Sequence, residues 1–311
     1  MSDPVEIYPV EICDVAPRDG FQVIKEPIPT ETKVKVVELL AQAGLTRIET
    51  GAFVSPVHVP QMADTAEVHR LAKVGSDVRL STLVPNLRGA QDAFAAGIPD
   101  IVYVFSISES HNNANVRRPV EASIGQLGEV IARGRDVPGF RLRANLATVF
   151  DCPFEGTTDP DAVYAAIETV LGFGAPVEFG LCDTTGRAIP DQVAEVCATV
   201  LKRFSGDGIG WAYHGHDTFG LGVANALYAY QAGIRVFDSA AAGLGGCPFA
   251  PGATGNTATE DLVFTFENMG IATGIDLDRL LDAATVVAEV PGAETGGHLR
   301  TVPRHRALAA A

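Results

Sequence analysis

Along the chain, short apolar runs alternate with longer stretches in which apolar positions recur every three or four residues, the pattern of buried strands interleaved with amphipathic helices. The strand candidates are Val10 to Val15, Arg47 to Phe53, Val78 to Val84, Ile101 to Phe105, Arg141 to Val149, Val177 to Cys182, Ile209 to His214 and Arg235 to Ser239. Many are apolar almost throughout, as parallel strands buried on both faces are. Between them, Val34, Val37, Leu40 and Ala41 fall at helical spacing after Thr30-Glu31, and Val163, Ile167, Val170 and Leu171 do so after Asp159-Pro160. Three junctions repeat one sign. Ala43-Gly44-Leu45, Ala96-Gly97-Ile98 and Ala232-Gly233-Ile234 each place a glycine where a helix ends in a left-handed cap, and a strand follows at once.

Eight such strands, each followed by a helical pattern, predict a TIM (β/α)8 barrel. Thr257 to Met269 and Asp276 to Val287 predict extra C-terminal helices. Residues 1–290 are expected to form a single barrel domain and 291–311 a tail, loosely ordered from Ala293 onward. An open, doubly wound sheet of the flavodoxin type shares this rhythm. The strand ends favour the barrel: Arg18-Asp19 follows the first strand, Glu49 lies in the second, Asp183 follows the sixth, and His214 and His216 sit at the seventh. Polar residues from so many strands converge naturally at one mouth of a closed cylinder.

Composition narrows the class of partner. Lys and Arg number 23 against 38 Asp and Glu, a formal charge of -15, so the molecule as a whole repels nucleic acid and anionic membranes. An anionic substrate must therefore be met by local basic residues. No apolar run reaches the roughly 18 residues of a membrane span, and the acidic start Met1 to Glu6 is unlike a signal peptide. Five unpaired-looking cysteines fit a reducing compartment, so a cytoplasmic protein is expected.

The candidate chemistry centres on His214-Gly215-His216-Asp217, where two imidazoles at i and i+2 share one face of a strand and can take one cation. Taken alone, such a pair is more often two half-exposed histidines with no task. Asp19, beside Arg18, supplies a hard oxygen ligand or else a surface ion pair in a turn. With the imidazoles it suits Mg2+, Mn2+ or Zn2+. Glu49, inside an apolar segment, is costly to bury without partners, and Asp183 is either part of a site or the cap of its own turn. The glycine-rich stretch from Ala242 to Asn256, with Cys247 at its centre, is expected to be a lid over an open site. Thr257 and Glu260 have the spacing of a capping box.

Pro17-Arg18-Asp19-Gly20, Phe53-Val54-Ser55-Pro56, Pro85-Asn86-Leu87, Cys152-Pro153-Phe154-Glu155-Gly156, His214 to Thr218, Gly243 to Pro248 and Ala258 to Val263, in this order, resemble the hydroxymethylglutaryl-CoA lyase family of TIM-barrel metallolyases. The resemblance runs from about Glu11 to Leu280. It implies cleavage of 3-hydroxy-3-methylglutaryl-CoA or a related 3-hydroxyacyl-CoA to acetyl-CoA and a ketone or oxoacid, as in leucine degradation. It also implies an acyl-CoA partner, a homo-oligomer (dimer) and a divalent metal, Mg2+ or Mn2+ before Zn2+. Metal ligands would be Asp19, His214, His216 and Asn256. Arg18 would stabilise the enolate, Glu49 and Asp183 would belong to the acid/base network with His214, Cys247 would protonate the carbanion or exclude water, and Gln22 and Lys25 would lie near the substrate.

The chain departs from the family's usual pattern in ways that bear on the acyl group. Phe21-Gln22-Val23-Ile24 stands where Leu-Gln-Asn-Glu is usual, and Asp151 and Cys182 replace glycines. The apolar Phe21 and Ile24 point to a less polar or larger substituent, with citramalyl-CoA and longer-branched hydroxyglutaryl-CoA as alternatives. Isopropylmalate or citramalate synthases and 4-hydroxy-2-oxoacid aldolases share the barrel and the His-x-His pair but lack the Gly-Gly-Cys-Pro loop. Arg88, Arg117 and Arg118 are candidates for the CoA phosphates.

Overall fold

The computed structural model describes residues 8–246 and 255–308. Eight parallel strands close into a barrel in the order β1 (Glu11–Asp14), β2 (Arg47–Ala52), β3 (Arg79–Val84), β4 (Asp100–Ser106), β5 (Arg141–Ala147), β8 (Val177–Asp183), β9 (Ile209–Gly215) and β10 (Val236–Ser239). The two remaining strands, β6 (Asp151–Cys152) and β7 (Gly156–Thr157), form a small antiparallel hairpin beyond β5. Closure is made by β1, which pairs with β10 from Glu11↔Val236 to Asp14↔Ser239 and with β2 at Cys13↔Arg47. An open sheet is thereby excluded.

The expected junctions are present. The helices α1 (Thr30–Gln42), α3 (Leu87–Ala95) and α8 (Gly222–Ala232) each end at a glycine with positive φ: Gly44, Gly97 and Gly233. Asp159 caps α6 (Pro160–Leu171) by accepting the Asp161 N–H. Each helix buries its apolar stripe against the outward side chains of the strands, among them Ile48, Tyr103, Phe105, Leu146, Phe179, Leu181 and Phe237.

Several inward positions are ionic. Arg47 on β2 binds Glu178 across the barrel on β8 (2.6 Å) and also Glu11 (3.1 Å). Arg143 on β5, in register with Glu178 and 3.6 Å from it, makes two parallel bonds, of 2.7 and 2.8 Å, to Asp238 on β10. Glu178 and Asp238 belong to strands that are not neighbours of those carrying their arginines, so these side chains must cross the interior. Breaking one buried partner leaves the other charge uncompensated, a loss of about 3–5 kcal/mol. Strands that read as apolar almost throughout thus carry charged residues on part of their inward face, beside apolar ones such as Val104 and Cys182.

After β10, α9 (Thr259–Asn268) and α10 (Leu277–Ala288) form the two additional C-terminal helices. The capping box is not formed. The helix starts at Thr259, and Thr257 instead donates to the Gly215 carbonyl (2.9 Å). Glu260 is fully buried, and one of its oxygens accepts the Ala242 N–H (3.0 Å), holding a non-glycine residue at φ 62° where the chain leaves the barrel. The segment expected as a loose tail is tied down as far as Leu308: Gly296 donates to the Ala242 carbonyl, and Asp261 accepts the N–H groups of His298 and Leu299.

Burial pushes the Glu260 carboxyl up to about 8. Folding therefore favours its protonated form. Below about pH 4.5 both folded and unfolded chains hold the proton; between there and about 8 only the unfolded chain releases it, so stability falls as pH rises through this window. Glu260→Gln is expected to remove that slope, on the order of a few kcal/mol across the window. Melting temperatures of both proteins from pH 5 to 9 check this; parallel curves would show that the group is not held neutral.

Candidate active site

The C-terminal mouth of the barrel opens into a cavity of about 420 Å3, lined among others by Arg18, Asp19, Gln22, Asn145, His214 and His216. Directly after β1 the chain makes a wide helical turn, Ala16–Gly20, in which the Val15 carbonyl accepts the N–H groups of Arg18, Asp19 and Gly20. This turn carries both Arg18 and Asp19 to the mouth. Gly20 is needed there, since a Cβ would lie 2.7 Å from the Leu244 side chain.

His214 and His216 share the inner face of β9 and its extension, with ring centroids 5.1 Å apart. Each ring is held from behind. His214 Nδ1 meets the Asp238 carboxylate (3.1 Å), and His216 Nδ1 meets the Asp183 carbonyl (2.9 Å). With Nδ1 so engaged, Nε2 is the nitrogen presented to a cation. Asp19 joins them: ligand atoms of Asp19, His214 and His216 all lie within 4.8 Å of one another. Asn256 bridges to His216 and donates to Asp19 (2.8 Å), while its buried Oδ1 has no hydrogen-bond partner among the described residues. An orphaned carbonyl oxygen beside a carboxylate and two oriented imidazoles is a donor set that fits a divalent ion.

The charges agree with that fit. Burial alone would raise the Asp19 carboxyl, but Arg18, the two imidazoles and the Asn256 N–H outweigh it and hold it at about 2. Burial, together with His214, brings His216 down to about 4, so its ring is neutral at pH 7 and has a lone pair to offer. Arg18 binds both Glu49 oxygens, from Nε (2.9 Å) and Nη2 (3.2 Å), and binds Asp19 through Nη1. Burial raises Glu49, and the guanidinium opposes that rise.

Not every residue singled out from the sequence reaches the cavity. Arg18, Asp19, Gln22, His214 and His216 line it. Glu49 sits behind Arg18 with both oxygens engaged. The Asp183 carboxylate accepts the Ala188 N–H (3.2 Å) within its own turn, and burial pushes it up to about 7; its link to the site is the carbonyl on His216. Lys25 is exposed and is not among the cavity's lining residues. Phe21 and Ile24 are buried in the core, so they do not make the approach to the site apolar. Arg117 and Arg118 line the cavity, whereas Arg88 is exposed and pairs with Asp92. Cys247 and the rest of the central loop, 247–254, lie outside the described residues. Asp238, which orients His214, was missed from the sequence. It carries the same signal as Glu49, an acid within an apolar strand.

A barrel whose mouth gathers two oriented imidazoles, a carboxylate and an arginine has the site of a TIM-barrel enzyme suited to a divalent metal, and the comparisons give its class as lyase. The family model described as HMGL-like matches residues 9–287, and the chain belongs to this family of divalent-metal-dependent carbon–carbon lyases. It is 41% identical over 282 residues to the cytoplasmic 3-hydroxy-3-methylglutaryl-CoA lyase of Mus musculus, covering 90% of this chain and 80% of that one. It is also 41% identical over 285 residues to the (R)-citramalyl-CoA lyase of Chloroflexus aurantiacus, covering 88% and 89%. Among solved structures it is similar to an HMG-CoA lyase from Acinetobacter baumannii in complex with coenzyme A and 3-methylmalate, with a TM-score of 0.87, 38% identity and 94% of each chain covered. No helix among the described residues is long and apolar enough to cross a membrane.

Proposed function

We propose that the protein cleaves 3-hydroxy-3-methylglutaryl-CoA, or a close relative such as citramalyl-CoA, to acetyl-CoA and an oxoacid, with Mg2+ or Mn2+ held by Asp19, His214, His216 and Asn256. The observation that carries this reading is the placement of Arg18 beside the Asp19–His214–His216 cluster in one cavity. When bound, the cation would polarise the substrate's tertiary hydroxyl and a neighbouring carbonyl or carboxylate oxygen.

The remaining work falls to the chain's own groups. Loss of the hydroxyl proton lets the bond between the second and third acyl carbons break, and its electron pair moves onto the acetyl-CoA carbon as an enolate. A guanidinium has five N–H donors, and three of those of Arg18 are taken by Glu49 and Asp19. The other two are available to the enolate oxygen, where charge grows only as the bond breaks. Glu49 positions Arg18, and the Asp183 carbonyl positions His216. Cys247 supplies the proton to the carbanion or shields it from water. Arg117 and Arg118 meet the CoA phosphates in a molecule of charge -15. The free thiols of Cys13, Cys152, Cys182 and Cys197 support a reducing, cytoplasmic setting.

Purified protein supplied with Mg2+ or Mn2+ should release acetyl-CoA from one or both thioesters. Condensation of acetyl-CoA with a 2-oxoacid, without release, would instead make it a synthase. Cys247→Ala should lower kcat while leaving metal content unchanged, as elemental analysis beside steady-state rates will show; loss of metal in this variant would remove Cys247 from the proton-transfer role.

A further inference from the structure

The opposite mouth of the barrel, at the N-terminal ends of the strands, holds a second cavity of about 530 Å3. It lies among three short helix-to-strand connections: residues 135–140 ahead of β5, 172–176 ahead of β8 and 204–208 ahead of β9. Loops at this end of a TIM barrel ordinarily serve stability. Here they enclose a concave space, and its lining residues Gly174, Gly208 and Gly210 carry no side chain that could fill it.

The wall is basic in a molecule of charge -15. Three guanidiniums line it, those of Arg79, Arg135 and Arg141, against one carboxylate, that of Glu178. Glu178 is already engaged: it accepts from Arg47 Nη1 and Nη2 (3.0 and 2.6 Å), and Arg143 Nε stands 3.6 Å away. Asp100, outside the wall, takes Nε and Nη2 of Arg79 (3.1 and 2.9 Å) on a single oxygen. That same oxygen is 3.8 Å from Arg141 Nη1, beyond hydrogen-bond reach. Arg135 has no ion pair among the described residues, and its Nη2 donates to the Phe173 carbonyl (2.9 Å), which ties the head group to the connection before β8. Two positive charges, on Arg135 and Arg141, are therefore left without a close counter-ion around one concave space. Like charges across a cleft repel, and the low-dielectric wall concentrates their field, so an anion between them turns repulsion into attraction. Their planar N–H forks match the oxygens of phosphate and carboxylate groups.

We propose that this N-terminal cavity binds a small oxyanion of more than one negative charge, a phosphate or a polycarboxylate, between Arg135 and Arg141, with Arg79 Nη1 at its edge. The site is separate from the metal cluster and from Arg117 and Arg118, which lie at the other mouth. Its ligand joins the start of β5 to the connections before β8 and β9, so binding stabilises the folded chain and takes no part in bond cleavage.

The test uses inorganic phosphate and tricarballylate as separate probes, with chloride at matched ionic strength as the control, on Mg2+-loaded protein followed by thermal unfolding and calorimetry. At least one probe should raise the Tm and bind with one-to-one stoichiometry, more weakly as salt is added; which of the two does so tells phosphate from carboxylate. Arg135→Ala/Arg141→Ala should weaken that binding by about 10- to 100-fold. Arg141→Gln alone, the milder change, should lose part of it and serves if the double variant does not fold. Arg88→Ala/Arg133→Ala, which removes two exposed arginines outside the cavity, should bind as the wild type does. The proposal is overturned if neither probe binds the wild type, or if the two double variants lose affinity equally, which would mark general charge attraction. Binding that survives Arg135→Ala/Arg141→Ala and is lost in Arg117→Ala/Arg118→Ala would likewise overturn it, by placing the anion at the catalytic mouth.

Discussion

Replacing Arg18 with glutamine is expected to lower kcat by about 10^2- to 10^3-fold, the effect of removing one preorganised donor from a developing oxyanion. Two losses combine. The guanidinium N–H groups that face the cavity disappear, and so does the only group among the described residues that is bonded to both oxygens of Glu49, which is buried on β2. Glu49 would then take up a proton to avoid an uncompensated buried charge. Arg18→Lys is expected to recover little, because one ammonium cannot span Glu49 and Asp19 while also facing the substrate. Metal content should change far less than kcat. Rates and metal analysis on the same preparations check this; a variant with full activity would remove Arg18 from the chemistry.

His216→Ala is expected to weaken metal binding by at least about 100-fold, since losing even a group that orients a ligand typically costs 10- to 100-fold. Activity should fall in parallel and return in part at high metal concentration. The fold should survive, because the ring faces a cavity and its only hydrogen bond among the described residues is to the Asp183 carbonyl. Metal titration with circular dichroism as the control makes the comparison. If His216→Ala kept its metal and Cys247→Ala lost it, the assignment of both residues would have to be exchanged.

The barrel was legible because its signals are local. The glycines at 44, 97 and 233 mark helix ends through a backbone conformation that one residue decides, and each strand announces itself within its own few positions. His214 and His216 were legible for the same reason: a spacing of two in a strand guarantees a shared face whatever the strand packs against. Glu260 shows where such reasoning stops. Its spacing from Thr257 matches a capping box, but the helix begins at Thr259, and the carboxyl serves a loop eighteen residues upstream.

Phe21 and Ile24 were read as facing the substrate and are core residues, while Gln22 between them faces the cavity. The wide turn after β1 decides this, and nothing in those three residues specifies how far it rotates. Asp238 and Asn145 are harder still. Each is a polar residue in a strand, and only the curvature that brings β5 and β10 across from one another tells that one holds the His214 imidazole from behind and the other looks into the cavity.

By itself the sequence determined the order and kind of the elements, the number of staves and the pair of histidines, all set by interactions among residues close along the chain. Which inward side chains meet was decided by the tertiary structure alone. Asp19 and Asn256 are joined by one hydrogen bond across 237 positions, and no local periodicity encodes a distance that only closure of the barrel creates.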